Sequence, residues 1–114
     1  MTDCLFCKIV SGDIPSAKVY EDDLVYAFRD IAPQAPTHVL VIPKAHVSGM
    51  SAIDEADDQL LAACLRACKK VAEMENLTES GFRVVSNCGA DACQSVHHLH
   101  FHVLGGRQMA GEMA

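Results

Sequence analysis

No stretch of this sequence is apolar for long enough to cross a bilayer, and its first residues, MTDCLF, lack the basic start and apolar run of a secretory signal. Those absences argue against a membrane-spanning or exported chain and for a cytoplasmic one. Basic residues are also scarce, nine Lys and Arg against fifteen Asp and Glu, for a formal charge of -6. Non-specific nucleic-acid binding needs clustered Lys and Arg to displace phosphate counterions, so the composition argues against that class. A small phosphorylated ligand stays possible, because backbone N–H groups and histidines can hold one or two phosphates without a basic surface. No internal repeat and no Gly- or Ser-rich linker divides the 114 residues, which suit one domain spanning 1–114.

Half of the residues are hydrophobic, enough for a packed core. Six cysteines in so short a chain could form a disulfide framework, but without an export signal they read as reduced thiols or metal ligands. Cys64 and Cys68, one helical turn apart, read as core. Cys4 and Cys7 form a CxxC, which supplies half of a tetrahedral zinc site or a redox pair. The histidine supply and the lack of an alternating strand and helix context favour zinc.

The spacing of apolar residues predicts the elements. CLFCKIVSG reads as a short helix stopped by Gly12. Val19–Glu21 and Leu24–Asp30 read as a hairpin turning at Asp22 and Asp23. Pro33 and Pro36 break the chain before Thr37–Ile42, a nearly continuous apolar run that suits a central strand ended by Pro43. Asp54 is expected to cap the main helix, with three more acidic residues in its first turn and apolar residues from Leu60 to Ala72 at spacings of three and four. Phe82–Asn87 reads as the next strand. Two helices against one mainly antiparallel sheet is the α+β solution for this order.

The segment that carries chemistry is QSVHHLHFHVLGGRQ, 94–108. His98, His100 and His102 fall at every second position with Leu99, Phe101 and Val103 between them, so a strand there would line one face with imidazoles and pack the other. Two imidazoles at i and i+2 could share a cation, but a third would need the strand to bend. Core packing would leave three polar rings to satisfy on one face, with Asn87, Gln94 and Ser95 just upstream. Nucleophilic chemistry on phosphorus fits best: one neutral imidazole attacks while its neighbours orient it and stabilise the charged oxygens. His97 breaks the alternation and should face away.

HLHFHVL resembles the signature of the histidine triad (HIT) proteins. SAKVYEDD, FRDIAPQAPTHVLVIPKAH and QSVHHLHFHVLGGRQM are similar to the Hint branch, the histidine triad nucleotide-binding proteins, and the likeness runs from Cys4 to Met109. It implies the HIT fold, a five-stranded sheet joined to that of a second copy across a homodimer. It also implies a hydrolase that cleaves the P–N bond of purine nucleoside phosphoramidates through a nucleotidyl-histidine intermediate, with a purine nucleotide as substrate and no organic cofactor. By the match His100 is the nucleophile, with His98 and His102 completing the triad. His102 would contact phosphate oxygens, Ser95 would help protonate the leaving group, and Asn87 and Gln94 would help hold the phosphate. Asp30 matches the carboxylate that receives the ribose hydroxyls, and Phe6, Ile9, Phe28, Ile31 and Leu40 match an apolar cleft for the base. His38 matches a supporting histidine. Cys4, Cys7, His46 and His98 match a closed, structural zinc site. Dinucleoside polyphosphate hydrolysis, nucleotidyl transfer and non-catalytic nucleotide binding remain open. Two departures stand out: Cys93 where relatives usually place Gly, which would be strained at a positive φ, and AGEMA where many relatives continue Trp-Pro-Pro-Gly.

Overall fold

Three strands sort their side chains strictly by parity. In β2 (Val25–Arg29), β3 (Thr37–Pro43) and β5 (Phe101–Gly105), Val25, Ala27, Val39, Val41, Phe101 and Val103 point to one face, while Tyr26, Phe28, Leu40 and Ile42 point to the other. The first set packs against Cys64, Ala67, Cys68, Val71 and Ala72 of the long helix α2 (Asp58–Met74). The second packs against Phe6 and Ile9 of the short helix α1 (Leu5–Ser11). The structure is a computed structural model that describes residues 3–114. With β1 (Lys18–Glu21) and β4 (Phe82–Val85) it forms one five-stranded sheet in the order β1-β2-β3-β5-β4, every pair antiparallel. The α+β expectation holds.

Each buried aliphatic side chain on the α2 face contributes about 1.5–3 kcal/mol, so this face supplies most of the hydrophobic stabilisation. Burial also pushes the Cys64 and Cys68 thiols up to about 12 and about 11, which leaves them protonated core residues. Gly12 takes the left-handed conformation (φ 88°) that ends α1, its N–H returning to Ile9 O at 3.1 Å. Gly105 is required for another reason: a Cβ there would lie 2.7 Å from Leu77 Cδ1.

β4 stops at Val85 rather than Asn87 and β2 spans Val25–Arg29 rather than Leu24–Asp30, and two further boundaries differ from expectation. Asp57, not Asp54, caps α2, its Oδ1 accepting the Leu60 N–H at 2.8 Å. Residues Met50–Glu55 form a separate 3-10 turn, and Ala56 is extended (φ -105°, ψ 148°), which resets the chain before the helix begins. Only Asp58 of the acidic run then lies in the first turn. The second difference concerns β5, which starts at Phe101, so His98 and His100 precede it. Their backbone is held from elsewhere: Leu99 N–H donates to Val47 O at 2.6 Å and Ser86 Oγ to His100 O at 2.8 Å. The alternation of side chains nevertheless persists through this lead-in, with Leu99 in the α2 core.

Because only one of the two aspartates caps the helix, Asp57→Ala should lower unfolding free energy by about 1 kcal/mol, and Asp54→Ala should leave it nearly unchanged. Urea denaturation of the two variants checks this, and the reverse order would return the cap to Asp54.

Candidate active site

Each histidine of the triad has a different environment. His98 is fully buried and His100 is 4 % exposed, while His102 is half-buried at the register position opposite Leu40. His100 Nδ1–H donates to the His98 carbonyl at 2.7 Å, which leaves the lone pair to Nε2. The Phe6 ring stands edge-on to His100 at 5.1 Å between centroids and fixes its plane. His38, 4 % exposed, accepts the Gln34 N–H on Nδ1 at 3.1 Å, so its proton lies on Nε2 and donates to His102 Nδ1 at 2.8 Å. The proton of His102 is thereby assigned to Nε2. Asp30 Oδ2 lies 3.4 Å from His38 Nε2, and its Oδ1 accepts the Ala32 N–H at 2.8 Å.

A cavity of about 360 Å³ opens over this face. His100, His102, Ser95 and Asp30 contribute polar groups to its wall, and Phe6, Ile9, Phe28, Ile31 and Leu40 contribute apolar ones. Ile31 is fully exposed and forms the rim. Leu5, Ile14, Pro15, Arg29 and Val96 also line it, none of which the sequence singled out; their signal was no more than a place beside a matched residue. Asn87 and Gln94 do not line it. The Gln94 side chain is engaged in the loop, Oε1 accepting the Gly89 N–H at 2.9 Å while Nε2 donates to Ser48 O at 2.9 Å and Val96 O at 3.1 Å. His98 does not line it either. His97 is exposed.

The loop that presents Ser95 contains the expected strain. Cys93 sits at φ 60°, ψ 39°, in the left-handed region, where a residue with a side chain costs about 1–2 kcal/mol. The Gln94 side chain ties the flanking residues Gly89 and Val96 to Ser48.

Behind His98 lies a second cluster. The donor atoms of Cys4, Cys7, His46 and His98 all fall within 4.8 Å of one another. His98 Nδ1 is 3.3 Å from Cys4 Sγ and 3.6 Å from Cys7 Sγ, and His46 Nδ1 is 3.4 Å from Cys7 Sγ. Tetrahedral zinc, with Zn–S near 2.3 Å and Zn–N near 2.05 Å, sets sulfur and nitrogen about 3.6 Å apart. The residues fit such an ion. His98 also uses its other nitrogen as a metal-bound imidazole should, Nε2–H donating to Pro43 O at 2.8 Å. Asp30, His38 and His102 bring three more donor atoms within 4.8 Å, but an N–N separation of 2.8 Å is a hydrogen bond; tetrahedral zinc would need about 3.3 Å.

The geometry defines a class before any comparison: an antiparallel α+β domain with an imidazole nitrogen lone pair and an imidazole N–H on one largely apolar cavity, equipped to engage a phosphoryl group. The HIT domain family model matches residues 11–109, and the chain belongs to the HIT family. It is 50 % identical over 109 residues to a 14 kDa zinc-binding protein of Brassica juncea, covering 94 % of this chain and 96 % of that one. It is 41 % identical over 112 residues to the purine nucleoside phosphoramidase of Escherichia coli K12, covering 98 % and 94 %. A HIT family hydrolase from Clostridium thermocellum superimposes with a TM-score of 0.95 at 44 % identity, covering 100 % of this chain and 99 % of that one.

Burial pushes the His102 pKa down to about 4; His100 and His38 add to the shift and Asp30 opposes it. Burial likewise lowers His38, against Asp30. The unfolded ring would titrate near 6.5. Between these values the unfolded chain binds more protons than the folded one, so the contribution is complete above pH 6.5 and is lost as pH falls towards 4. The urea midpoint should therefore be lower at pH 5 than at pH 7.5, and the drop should shrink in His102→Gln. An equal drop in both proteins would remove His102 as its source.

Proposed function

We propose that this protein hydrolyses purine nucleoside phosphoramidates, with His100 as the nucleophile. The observation that carries the reading is the 2.7 Å bond from His100 Nδ1–H to the His98 carbonyl, which commits one nitrogen to the main chain and the other to attack. In the first step Nε2 bonds to phosphorus and the P–N bond breaks. The amine departs with the bonding electron pair and takes a proton from the hydroxyl of Ser95, a residue of the cavity wall. In the second step water attacks phosphorus and gives its proton to the Ser95 oxygen, the Nε2–P bond breaks with its electron pair returning to Nε2, and the nucleoside monophosphate leaves with His100 and Ser95 restored. His102 Nε2–H donates to a phosphoryl oxygen as negative charge grows there, a preorganised donor that needs no reorientation. The similarity to the Escherichia coli phosphoramidase supports this choice of leaving group.

The nucleoside occupies the apolar end of the cavity, with its base among Phe6, Ile9, Phe28, Ile31 and Leu40 and its ribose hydroxyls on Asp30. Gln94 acts by holding the loop that presents Ser95, and Asn87 borders that loop. The reaction as written uses no organic cofactor. The working form is assigned as a homodimer joined through the edge strand β4, where Phe82 and Val84 are each 39 % exposed.

We assign zinc to Cys4, Cys7, His46 and His98. With four protein ligands and no open position the ion would be structural, tying α1 to the lead-in of β5. The similarity to the plant zinc-binding protein supports the metal.

Purified protein should release AMP from a fluorogenic adenosine phosphoramidate, and His100→Ala should reduce turnover by about 10³-fold or more. Equal turnover in the two proteins would reject His100 as nucleophile. Elemental analysis of protein purified without chelators should find about one zinc per chain, as a closed four-ligand site requires, and Cys7→Ser should lose the metal and unfold at a lower temperature. Metal-free protein of unchanged thermal stability would reject the structural zinc.

A further inference from the structure

His38 has one imidazole proton and two acceptors for it. The Gln34 N–H occupies Nδ1, so the proton sits on Nε2, 2.8 Å from His102 Nδ1 and 3.4 Å from Asp30 Oδ2. The His38 side chain is 2 % exposed and does not line the cavity, whereas Asp30 and His102 both do. His38 is thus a buried bridge between two residues of the cavity wall. The carboxylate is itself held in place: Oδ1 accepts the Ala32 N–H at 2.8 Å, and Asp30 N–H donates to the His38 carbonyl at 3.0 Å.

This arrangement has an electrostatic consequence. A negative charge 3.4 Å from Nε2 favours the proton on that nitrogen over the distant Nδ1. With the proton there, His102 Nδ1 must accept, its own proton must sit on Nε2, and the cavity meets a donor. In the opposite tautomer His102 would turn a lone pair towards phosphoryl oxygens and repel them.

We propose that Asp30 is a positioning residue for the reaction as well as a ribose ligand: through His38 it holds His102 in the tautomer that donates to the phosphoryl group. The proposal rests on the hydrolase reading above and adds a second task for the same carboxylate. Nucleoside recognition and phosphoryl stabilisation then share one side chain.

Asp30→Asn tests it, because the amide keeps the shape and can still accept from Ala32 but turns N–H towards the His38 N–H, setting two donors face to face. The substrates are an adenosine phosphoramidate and its 2′,3′-dideoxy counterpart, which has no hydroxyls for Asp30 to hold. Asp30→Asn should lower kcat on both by about 10- to 100-fold, the loss usual for a partner that orients a functional imidazole from behind, and should raise KM on the ribose substrate alone. In a His38→Asn background, adding Asp30→Asn should change kcat on the dideoxy substrate by less than about twofold, since the two act as one unit. Long-range ¹H–¹⁵N spectra of the imidazoles should show His38 and His102 protonated on Nε2 in the parent and a mixture for His102 in Asp30→Asn.

Unchanged kcat on the dideoxy substrate with unchanged tautomers would overturn the proposal and leave Asp30 a ribose ligand only. A kcat loss that persists undiminished in the His38→Asn background would overturn it as well. If the parent turns over neither substrate, the hydrolase reading is what fails, and the imidazole spectra alone decide the part played by Asp30.

Discussion

Main-chain hydrogen bonds that assign the proton of each imidazole are the constraint on which this site depends. The Pro43 carbonyl takes the His98 Nε2–H, the His98 carbonyl takes the His100 Nδ1–H, and the Gln34 N–H fills His38 Nδ1 while the Asp30 carboxylate faces its Nε2, from which the state of His102 follows. A histidine free to choose its tautomer would offer a lone pair or a donor at random, and each wrong choice removes either the nucleophile or the group that meets the phosphoryl charge. Backbone groups are suited to this task because they are fixed by the sheet itself. The lead-in to β5 is irregular for the same reason: in a regular ladder the His98 carbonyl would be directed to a neighbouring strand rather than to a side chain two residues on.

The two faces of the sheet separate stability from chemistry. The α2 face is filled by aliphatic residues, Phe101 and two buried thiols, and it needs no imidazole from the site. The α1 face has fewer buried apolar residues, and its helix has only seven residues, too few to persist alone in water. Phe6 and Ile9 anchor that helix by packing, while Cys4 and Cys7 anchor it through the cluster with His46 and His98. The helix also forms a wall of the cavity. The cluster at its start therefore bears on the shape of the site without touching a ligand.

Period-two alternation made most of this legible in the sequence. It assigned the two faces of the histidine segment and placed three imidazoles on one side, because parity survives even where the strand itself does not. Element boundaries were less legible. Asp54 and Asp57 are chemically equivalent caps, and the choice between them was made by the extended backbone at Ala56, which no local composition signals. The His38–His102 pair was hidden for another reason: sixty-four residues separate the two rings, and only the β3–β5 register brings them together. Gln94 stood in the matched motif, but a motif does not reveal whether an amide faces the ligand or spans its own loop.

His98 shows why three histidines in alternation need not be three copies of one function. Its side chain points away from the cavity into the sulfur–nitrogen cluster, while its carbonyl orients His100. One residue therefore belongs to both halves of the molecule, by its ring to the anchor of α1 and by its peptide to the nucleophile. Rotation of that ring out of the cluster would give up its bond to Pro43, so the same residue that accepts from the nucleophile through its carbonyl is held through its ring. His102 has the converse arrangement, with its ring at the cavity and its tautomer set from behind by His38. The alternation delivers each ring to the same face, and the neighbours decide what each one does there.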